Sequence, residues 1–545
     1  MRQYLQEKVE TALRSLNLPD RPKPTFERPK QAEHGDLTTN VAMVLARSVK
    51  RNPTKLASDI VSRLELESDL VEKVEIAGPG FINFWFKDKF YLQQLREILE
   101  KGSRYGRSEA GGNKKTQVEF VSANPTGPLT VGHGRNAVLG DTIANLLEWT
   151  GHDVTREYYY NNAGRQMRVL GDSVRLRYLE LLDEPVAFPE DYYQGEYIKD
   201  IARHLLASHG TVLRKEPPEG IFKERAEEEI FNDIKKILKR LGTKFDVFYN
   251  ERSLYETGKV QEVVDELRRL GYAYDHEGAV WFRATSFQGE KDKVIVKSSG
   301  EPTYRLPDIA YHREKFRRGF ELIVDILGAD HIATYPDVIA GLKALGFDTE
   351  KVKVLIHQFV TLVRNGEVVK MSTRKANFVT LAELIDEVGP DVVRYFFLMR
   401  SHMSHLNFDL GLAKEQSEQN PVYYLQYAHA RIASILKYAE IEGVSTRAVS
   451  GPRLELLTEA EAIAMVKKLA EFPDTVESCS FSFEPHRLTE YLHDVAGLFH
   501  KFYHVHRVVT DNKPLTCARL ALCQATKTVL ANGFAILGIS APETM

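Results

Sequence analysis

Residues Val118–Arg135 constrain this chain more than any other stretch. The run VEFV leads into SANPTGPLTVGHG and then directly into an apolar-periodic segment. Val138, Leu139, Ile143, Leu146 and Leu147 would form its inner face, and Gly151 would end it. A strand, a Pro/Gly-rich loop and a helix beginning near Gly134 place free backbone N–H groups and the positive helix end at the carboxyl edge of a sheet. An anion such as a triphosphate fits there. Gly132 and Gly134 would let the backbone approach a ligand, and His133 would donate to a phosphoryl oxygen. The same residues also fit an ordinary strand-to-helix turn with an incidental histidine.

The surroundings favour a sheet. Strand-like runs at Thr116–Val121, Ala279–Phe282, Lys293–Lys297, Leu322–Leu327 and Lys353–His357 alternate with helical stretches. That alternation predicts a parallel sheet covered by helices over residues 113–390. The charged helical texture of about 172–251 reads as an insertion outside the sheet. Residues 1–112 read as a small α/β domain: a helix with Leu5, Val9, Ala12, Leu13 and Leu16 on one face, and a hairpin about Gly78-Pro79-Gly80. Residues 391–545 carry apolar positions three and four apart and read as an all-α helix bundle.

Composition narrows the class. At 545 residues, 43% hydrophobic and 27% charged, the chain is no disordered or fibrous sequence. The 73 Lys+Arg nearly balance the 76 Asp+Glu, so any nucleic-acid surface must be local. Only Cys479, Cys517 and Cys523 occur, without a CxxC pair, which argues against disulfide scaffolds and cysteine zinc sites and fits a reducing compartment. His and Cys lack ligand spacing, so no protein-bound metal is expected. The N-terminus lacks the apolar core of a signal peptide, and no run looks long enough to span a bilayer. A soluble, cytoplasmic protein is the expectation.

A second chemistry-bearing segment is Lys370-Met371-Ser372-Thr373-Arg374-Lys375, three cations and two hydroxyls just before a helix with its own capping box, Thr380 and Glu383. A cationic loop of this kind can stabilise a pyrophosphate leaving group, and it can equally be a solvated basic turn. Between Lys501 and Gly533, Lys501, Arg507, Lys513, Arg519 and Lys527 interleave with Phe502, Tyr503, His504 and His506. That texture suits phosphate contact with base stacking, or a bundle helix with a basic face.

A Gly-His loop on the first strand and a Lys-Met-Ser segment at the far end of the same domain resemble the two signatures of class I aminoacyl-tRNA synthetases. GPGFINFWF, YYYNNAGRQ, YRLPDIAYHREKF, the stretch from GPDVVRYFFLMR to YAHARI, and the closing ANGFAILGISAPETM narrow the resemblance to the arginyl-tRNA synthetase family. The resemblance implies a Rossmann-like catalytic domain, an N-terminal tRNA-contacting α/β domain and a C-terminal helical anticodon-binding domain. It implies arginine–tRNA ligase activity: ATP with Mg²⁺ and L-arginine give arginyl-adenylate, which is passed to the 2′-hydroxyl of the terminal adenosine of tRNA(Arg). It also implies activation that requires bound tRNA, and a monomer without membrane attachment.

By position, the resemblance makes His133 and Lys370 catalytic. Thr130, Gly132, His133, Lys370, Met371 and Ser372 would bind ATP. Glu119, Asn124, Tyr304, Asp308 and Asp330 would bind arginine, and Tyr424, Tyr427 and Met545 would bind tRNA. A carboxylate beside an aromatic face also suits a planar guanidinium on elementary grounds, although Tyr304 and Asp308 alone could be a surface pair. Two positions depart from the family pattern. Thr130 stands where His is usual, and Thr373 stands where a second Lys is usual, with Arg374 or Lys375 able to supply its charge. An adenylyl- or nucleotidyl-transferase acting without tRNA is disfavoured by the helical C-terminal region. A catalytically silent tRNA-binding paralogue is disfavoured by the retained site residues.

Overall fold

The computed structural model describes residues 1–18, 22–29, 31–369, 379–444 and 453–545. Lys370, Met371 and Ser372, with Thr373, Arg374 and Lys375, lie outside the described residues.

The N-terminal region runs α1 (Arg2–Ser15), β1 (Leu37–Thr39), α2 (Val41–Val49), α3 (Pro53–Val61), β2 (Val71–Ala77), β3 (Phe81–Phe86) and α4 (Asp88–Lys101). Leu5, Val9, Ala12 and Leu13 of α1 are buried, as their spacing requires. The three strands form an antiparallel sheet in the order β1-β3-β2, with the expected hairpin between β2 and β3. Asn52 starts α3 by accepting the Lys55 N–H, with Pro53 at the first helical position.

The middle region continues through β4 (Lys115–Glu119), α5 (Val131–Trp149), β5 (Asp153–Tyr160), α6 (Gly164–Glu180), α7 (Glu196–His209), α8 (Lys223–Arg240) and β6 (Val247–Asn250). It then passes α9 (Arg252–Glu256), α10 (Lys259–Arg269), β7 (Ala273–His276), β8 (Ala279–Phe282), β9 (Lys293–Val296), α11 (Arg305–Arg317), β10 (Leu322–Gly328), α12 (Tyr335–Ala344) and β11 (Val352–His357). The main sheet is wholly parallel, in the order β11-β10-β4-β5-β6. The chain steps from β4 outward through β5 and β6, then returns to place β10 and β11 on the other side. The crevice at the carboxyl ends of β4 and β10 is therefore the topological switch point, where ligands bind in such sheets.

Within this middle region three expectations are corrected. The runs at 279–282 and 293–297 belong to a separate antiparallel sheet, β7-β8-β9. The helical excursion does not extend to residue 251, because β6 rejoins the parallel sheet beside β5. And α5 begins at Val131, not Gly134, because Thr130 caps it.

Beyond the sheet come β12 (Val360–Arg364), β13 (Glu367–Val368), α13 (Leu381–Val388), α14 (Pro390–Leu398), β14 (Leu406–Asp409) and α15 (Leu410–Lys414). β14 pairs with β12 inside a region expected to be purely helical. The bundle follows as α16 (Pro421–Ile441), α17 (Ala460–Leu469), α18 (Phe472–Ser482), α19 (His486–Val505) and α20 (Lys513–Leu537). By length and composition α20 could cross a membrane, contrary to expectation; it is apolar because most of it is buried among the other helices. Arg394 locks these parts together. It is fully buried, pairs with Asp141 of α5 at 2.6 Å, and donates to the carbonyls of Leu241 and Leu537.

Candidate active site

Thr130 and His133 form a reciprocal cap at the start of α5. The Thr130 hydroxyl accepts the His133 N–H, while His133 Nδ1 accepts the Thr130 N–H at 3.1 Å. Because Nδ1 is an acceptor, the proton of the neutral ring sits on Nε2. Burial holds His133 below its usual pKa, with Asp330 acting the other way, so a neutral Nε2–H donor is the resting form. The threonine that replaces the customary histidine thus aims the remaining one.

The two loop glycines play different parts. A Cβ on Gly134 would strike Leu381 at 2.6 Å and Phe397 at 3.0 Å, so Gly134 exists for helix packing, not for ligand approach. A Cβ on Gly132 would meet only Thr130 Oγ, at 3.7 Å, which leaves the backbone there open to a ligand.

The chain beyond the second signature, from Thr380, meets the same place. Thr380 forms an antiparallel bridge with Thr130, and the Leu381 N–H donates to the Leu129 carbonyl at 2.8 Å. Thr380 and Glu383 make the expected capping box of α13. Lys370, Met371 and Ser372 lie outside the described residues; the contacts with the loop before α5 are made by Thr380 and Leu381.

On the other side of β4 lies a buried charge cluster. Lys315 of α11 is 0% exposed and contacts Glu119 and Asp325 at 2.6 Å each. Burial alone would lower Lys315, but these two carboxylates hold it above its ordinary value. Asp325 is itself held well below the carboxylate range by Lys315 and His312, against its own burial. Glu119 also accepts from Ser122 Oγ at 2.9 Å, so its carboxylate is largely engaged within the protein.

Asp308, in the first turn of α11, differs. Burial pushes its carboxyl up to about 7; His312 pulls the other way, and Glu251 and Glu119 add to the rise. Glu251 was missed in the sequence. It follows β6 directly, is 7% exposed, and accepts from Tyr159 Oη and Asn161 Nδ2 at 2.7 Å each. Burial raises its pKa as well. Tyr159 stacks on Tyr311 at 4.3 Å, and Tyr249 lies 4.9 Å from Tyr311. Asp308 and Glu251 are thus two desolvated carboxyls whose shifts run the same way, and Glu251 touches this ring cluster through the Tyr159 hydroxyl. No sequence signal marks Glu251, because only the return of β6 to the sheet brings it to Tyr159 and Asn161.

The remaining expected residues sit as follows. Asn124 accepts the Asn161 N–H at 2.9 Å and donates to Gln166, bridging the phosphate loop to the segment after β5. Tyr304, the residue before α11, is 81% exposed, and its carbonyl accepts the Asp308 N–H at 3.4 Å. Asp330, expected with the arginine residues, follows β10 and tends to raise the pKa of both His133 and His357, against their burial. Among the described residues no cluster of His, Cys, Asp or Glu could hold a metal ion.

In the bundle, Tyr427 stacks parallel to Tyr423 at 6.1 Å and faces His500, and Arg431 donates to Tyr427 Oη at 2.6 Å. Tyr424 lies 4.7 Å from His500 and 5.0 Å from His493. Tyr423, Tyr424 and Tyr427 are all partly exposed, and Met545 is exposed. The basic stretch after Lys501 is no continuous stripe: Phe502 is fully buried, Arg519 pairs with Glu459, and Lys527 pairs with Glu543.

This parallel sheet, with a capped Gly-His helix start at its switch point and buried carboxyls beside it, is a class I aminoacyl-tRNA synthetase architecture. Residues 94–394 match the family model for tRNA synthetases class I (R), catalytic domain. Residues 3–86 match the arginyl tRNA synthetase N terminal domain, and 425–545 the DALR anticodon binding domain. An arginine–tRNA ligase of Desulfotalea psychrophila is 54% identical over 523 residues, spanning 96% of this chain and 95% of that protein. One from Chlorobium phaeobacteroides is 50% identical with both chains fully covered. In fold, the arginyl-tRNA synthetase of Thermus thermophilus superposes with a TM-score of 0.78 at 22% identity over the whole of both chains. That of Plasmodium falciparum gives 0.74 at 16% identity, covering all of this chain and 99% of the other. The chain belongs to the arginyl-tRNA synthetase family. Its activity is that of an ATP-dependent arginine–tRNA ligase.

Proposed function

We propose that Asp308 and Glu251 receive the guanidinium of arginine while the Gly132-His133 helix start receives the phosphates of ATP. The observation that carries this reading is the placement of Glu251 on the Tyr159 hydroxyl and of Asp308 in the first turn of the helix whose Tyr311 stacks on Tyr159; the raised carboxyls of both agree with a cation-binding role. Asn124 and the rim residue Tyr304 complete the arginine side. Glu119 acts there mainly by fixing Lys315 and Ser122.

In the first step the arginine carboxylate attacks the α-phosphorus of ATP, forming a carboxyl–phosphate bond and releasing pyrophosphate. Mg²⁺ enters as part of the nucleotide substrate. His133 Nε2–H donates to the phosphoryl group, and the helix N-terminus stabilises the charge. Lys370, with Met371 and Ser372, is assigned to the pyrophosphate side by family position and by the anchoring of Thr380. In the second step the 2′-hydroxyl of the terminal adenosine of tRNA(Arg) attacks the activated carbonyl and expels AMP. No covalent enzyme intermediate is required; positioning supplies the rate.

Tyr424, Tyr427 and Met545 are assigned to the anticodon end of tRNA, where partly exposed aromatic side chains can stack on unpaired bases. The N-terminal region is assigned to a second part of the tRNA. We place the enzyme in the cytoplasm as a monomer.

ATP–pyrophosphate exchange with each amino acid, with and without tRNA, tests the assignment. Arginine-specific exchange, weakened by replacing either Asp308 or Glu251, is the expected result. Unchanged arginine use in both variants would remove the pocket.

A further inference from the structure

The carboxyl end of β4 is strained, and one side chain holds it. Val121 has φ +67° and Ser122 φ +44°, and neither is glycine. A β-branched residue in this region is a genuine outlier. The Ser122 N–H donates to the Phe120 carbonyl at 2.9 Å, which makes Val121 the centre of a γ-turn of the rare, strained hand.

The turn breaks the ladder at a defined point. Phe120 N–H still donates to the Glu157 carbonyl of β5, but the next bond of a parallel ladder, from Tyr159 N–H to the Phe120 carbonyl, is replaced. The Phe120 carbonyl takes the Ser122 N–H, and Ser122 Oγ takes the Tyr159 N–H at 3.2 Å while donating to Glu119 at 2.9 Å. The chain thereby leaves the sheet toward Asn124 and the phosphate loop.

What offsets the strain is Asn136, in the second turn of α5 and 6% exposed. Its Oδ1 accepts the Val121 N–H at 2.6 Å. Its Nδ2 donates to the Ile326 carbonyl of β10 at 2.9 Å and lies 3.2 Å from His357 Nε2 of β11. One amide thus ties the γ-turn to two neighbouring strands at the switch point. Strain of this kind persists only where its surroundings over-determine it.

We propose that Asn136 is a positioning residue for the activation step, holding Val121 in the left-handed conformation that sets Ser122, Glu119 and Asn124 against the phosphate loop. This deepens the arginine- and ATP-binding reading above and rests on it.

A double-variant rescue tests it in the full-length enzyme with tRNA present. Asn136→Ala should lower kcat of arginine activation by about 10- to 100-fold, as expected for reacting groups displaced by about 1 Å. The KM for ATP should change less than twofold on the same scale. Val121→Gly alone should keep most of the activity, because glycine adopts φ +67° freely. Adding Val121→Gly to Asn136→Ala should recover most of the lost kcat, which a merely structural asparagine would not allow. Full activity in Asn136→Ala, or a loss that Val121→Gly does not repair, would overturn the proposal. If Asn136→Ala fails to fold, the double variant decides: folded, active enzyme supports the proposal and its absence overturns it. Asp308→Asn is run in parallel. Unaltered arginine KM there would remove the pocket reading while leaving the coupling of Asn136 and Val121 as measured.

Discussion

Thr130 and Thr380 meet in an antiparallel bridge, and each is the capping residue of the helix that follows it. The first helix carries His133; the second opens immediately after the Lys-Met-Ser region. This backbone contact therefore sets the loop before α5 and the start of α13 in fixed relation. Each cap should be worth about 1 kcal/mol. Thr380→Ala should lower stability by about that amount in urea unfolding. It should also lower kcat for pyrophosphate exchange more than it raises the KM for arginine, because the arginine pocket lies on the far side of β4. Equal effects on both constants would show that the bridge is only structural.

The raised carboxyl of Asp308 gives a pH signature with a definite sign. In the unfolded chain an aspartate titrates near pH ~4, whereas in the folded, arginine-free enzyme Asp308 titrates near about 7. Its contribution to stability is thus present in full below about 4 and is lost as pH rises through about 7. A guanidinium reverses this by favouring the carboxylate. Arginine should therefore raise Tm more at pH 8 than at pH 6, and kcat/KM for arginine should climb with pH and level off above the Asp308 pKa. Asp308→Asn should flatten that limb and weaken arginine use severely. A rising limb that survives the substitution would point to another group.

Lys315 has no exposure and two carboxylate partners, so removing its charge leaves Glu119 without its cation and Asp325 with only His312 in the interior. Lys315→Met should cost about 3–5 kcal/mol in denaturant unfolding. Adding Asp325→Asn should restore part of that loss, since the double change removes one charge of each sign. Additive losses would mean that the cluster is not coupled.

How much of this was legible depended on whether local sequence or tertiary return set the feature. The hairpin about Gly78-Pro79-Gly80, the face of α1 and the cap at Thr380 follow from short-range pattern, and each formed as read. β5 was overlooked because DVTREYYY mixes charges with aromatics: Arg156 and Glu157 are buried but satisfied by Glu148 and Arg318. β6 is only four residues long and adjoins a charged helix, so its texture was absorbed into the insertion. Glu251 became visible only when β6 took its place in the sheet. Thr130 carried a local signal, but its partner at N3 is His133, not the usual Glu or Gln, and that hid the capping box.

The aromatic group on α16 gives a prediction that separates tRNA binding from chemistry. Tyr427 is stacked with Tyr423 and His500, and Arg431 holds its hydroxyl at 2.6 Å, so the ring is already ordered before any base arrives. Pre-ordering reduces the entropy lost on stacking. Tyr427→Ala should therefore weaken tRNA binding by about 1–3 kcal/mol, seen as a raised KM for tRNA in aminoacylation. Tyr427→Phe keeps the ring and loses only the Arg431 bond, so it should cost a fraction of that. Because this cluster lies on the bundle and not at the sheet's carboxyl edge, the KM values for ATP and arginine at saturating tRNA should be unchanged in both variants. An alanine variant with normal tRNA KM, or one whose loss appears equally in the ATP constant, would remove Tyr427 from the tRNA surface.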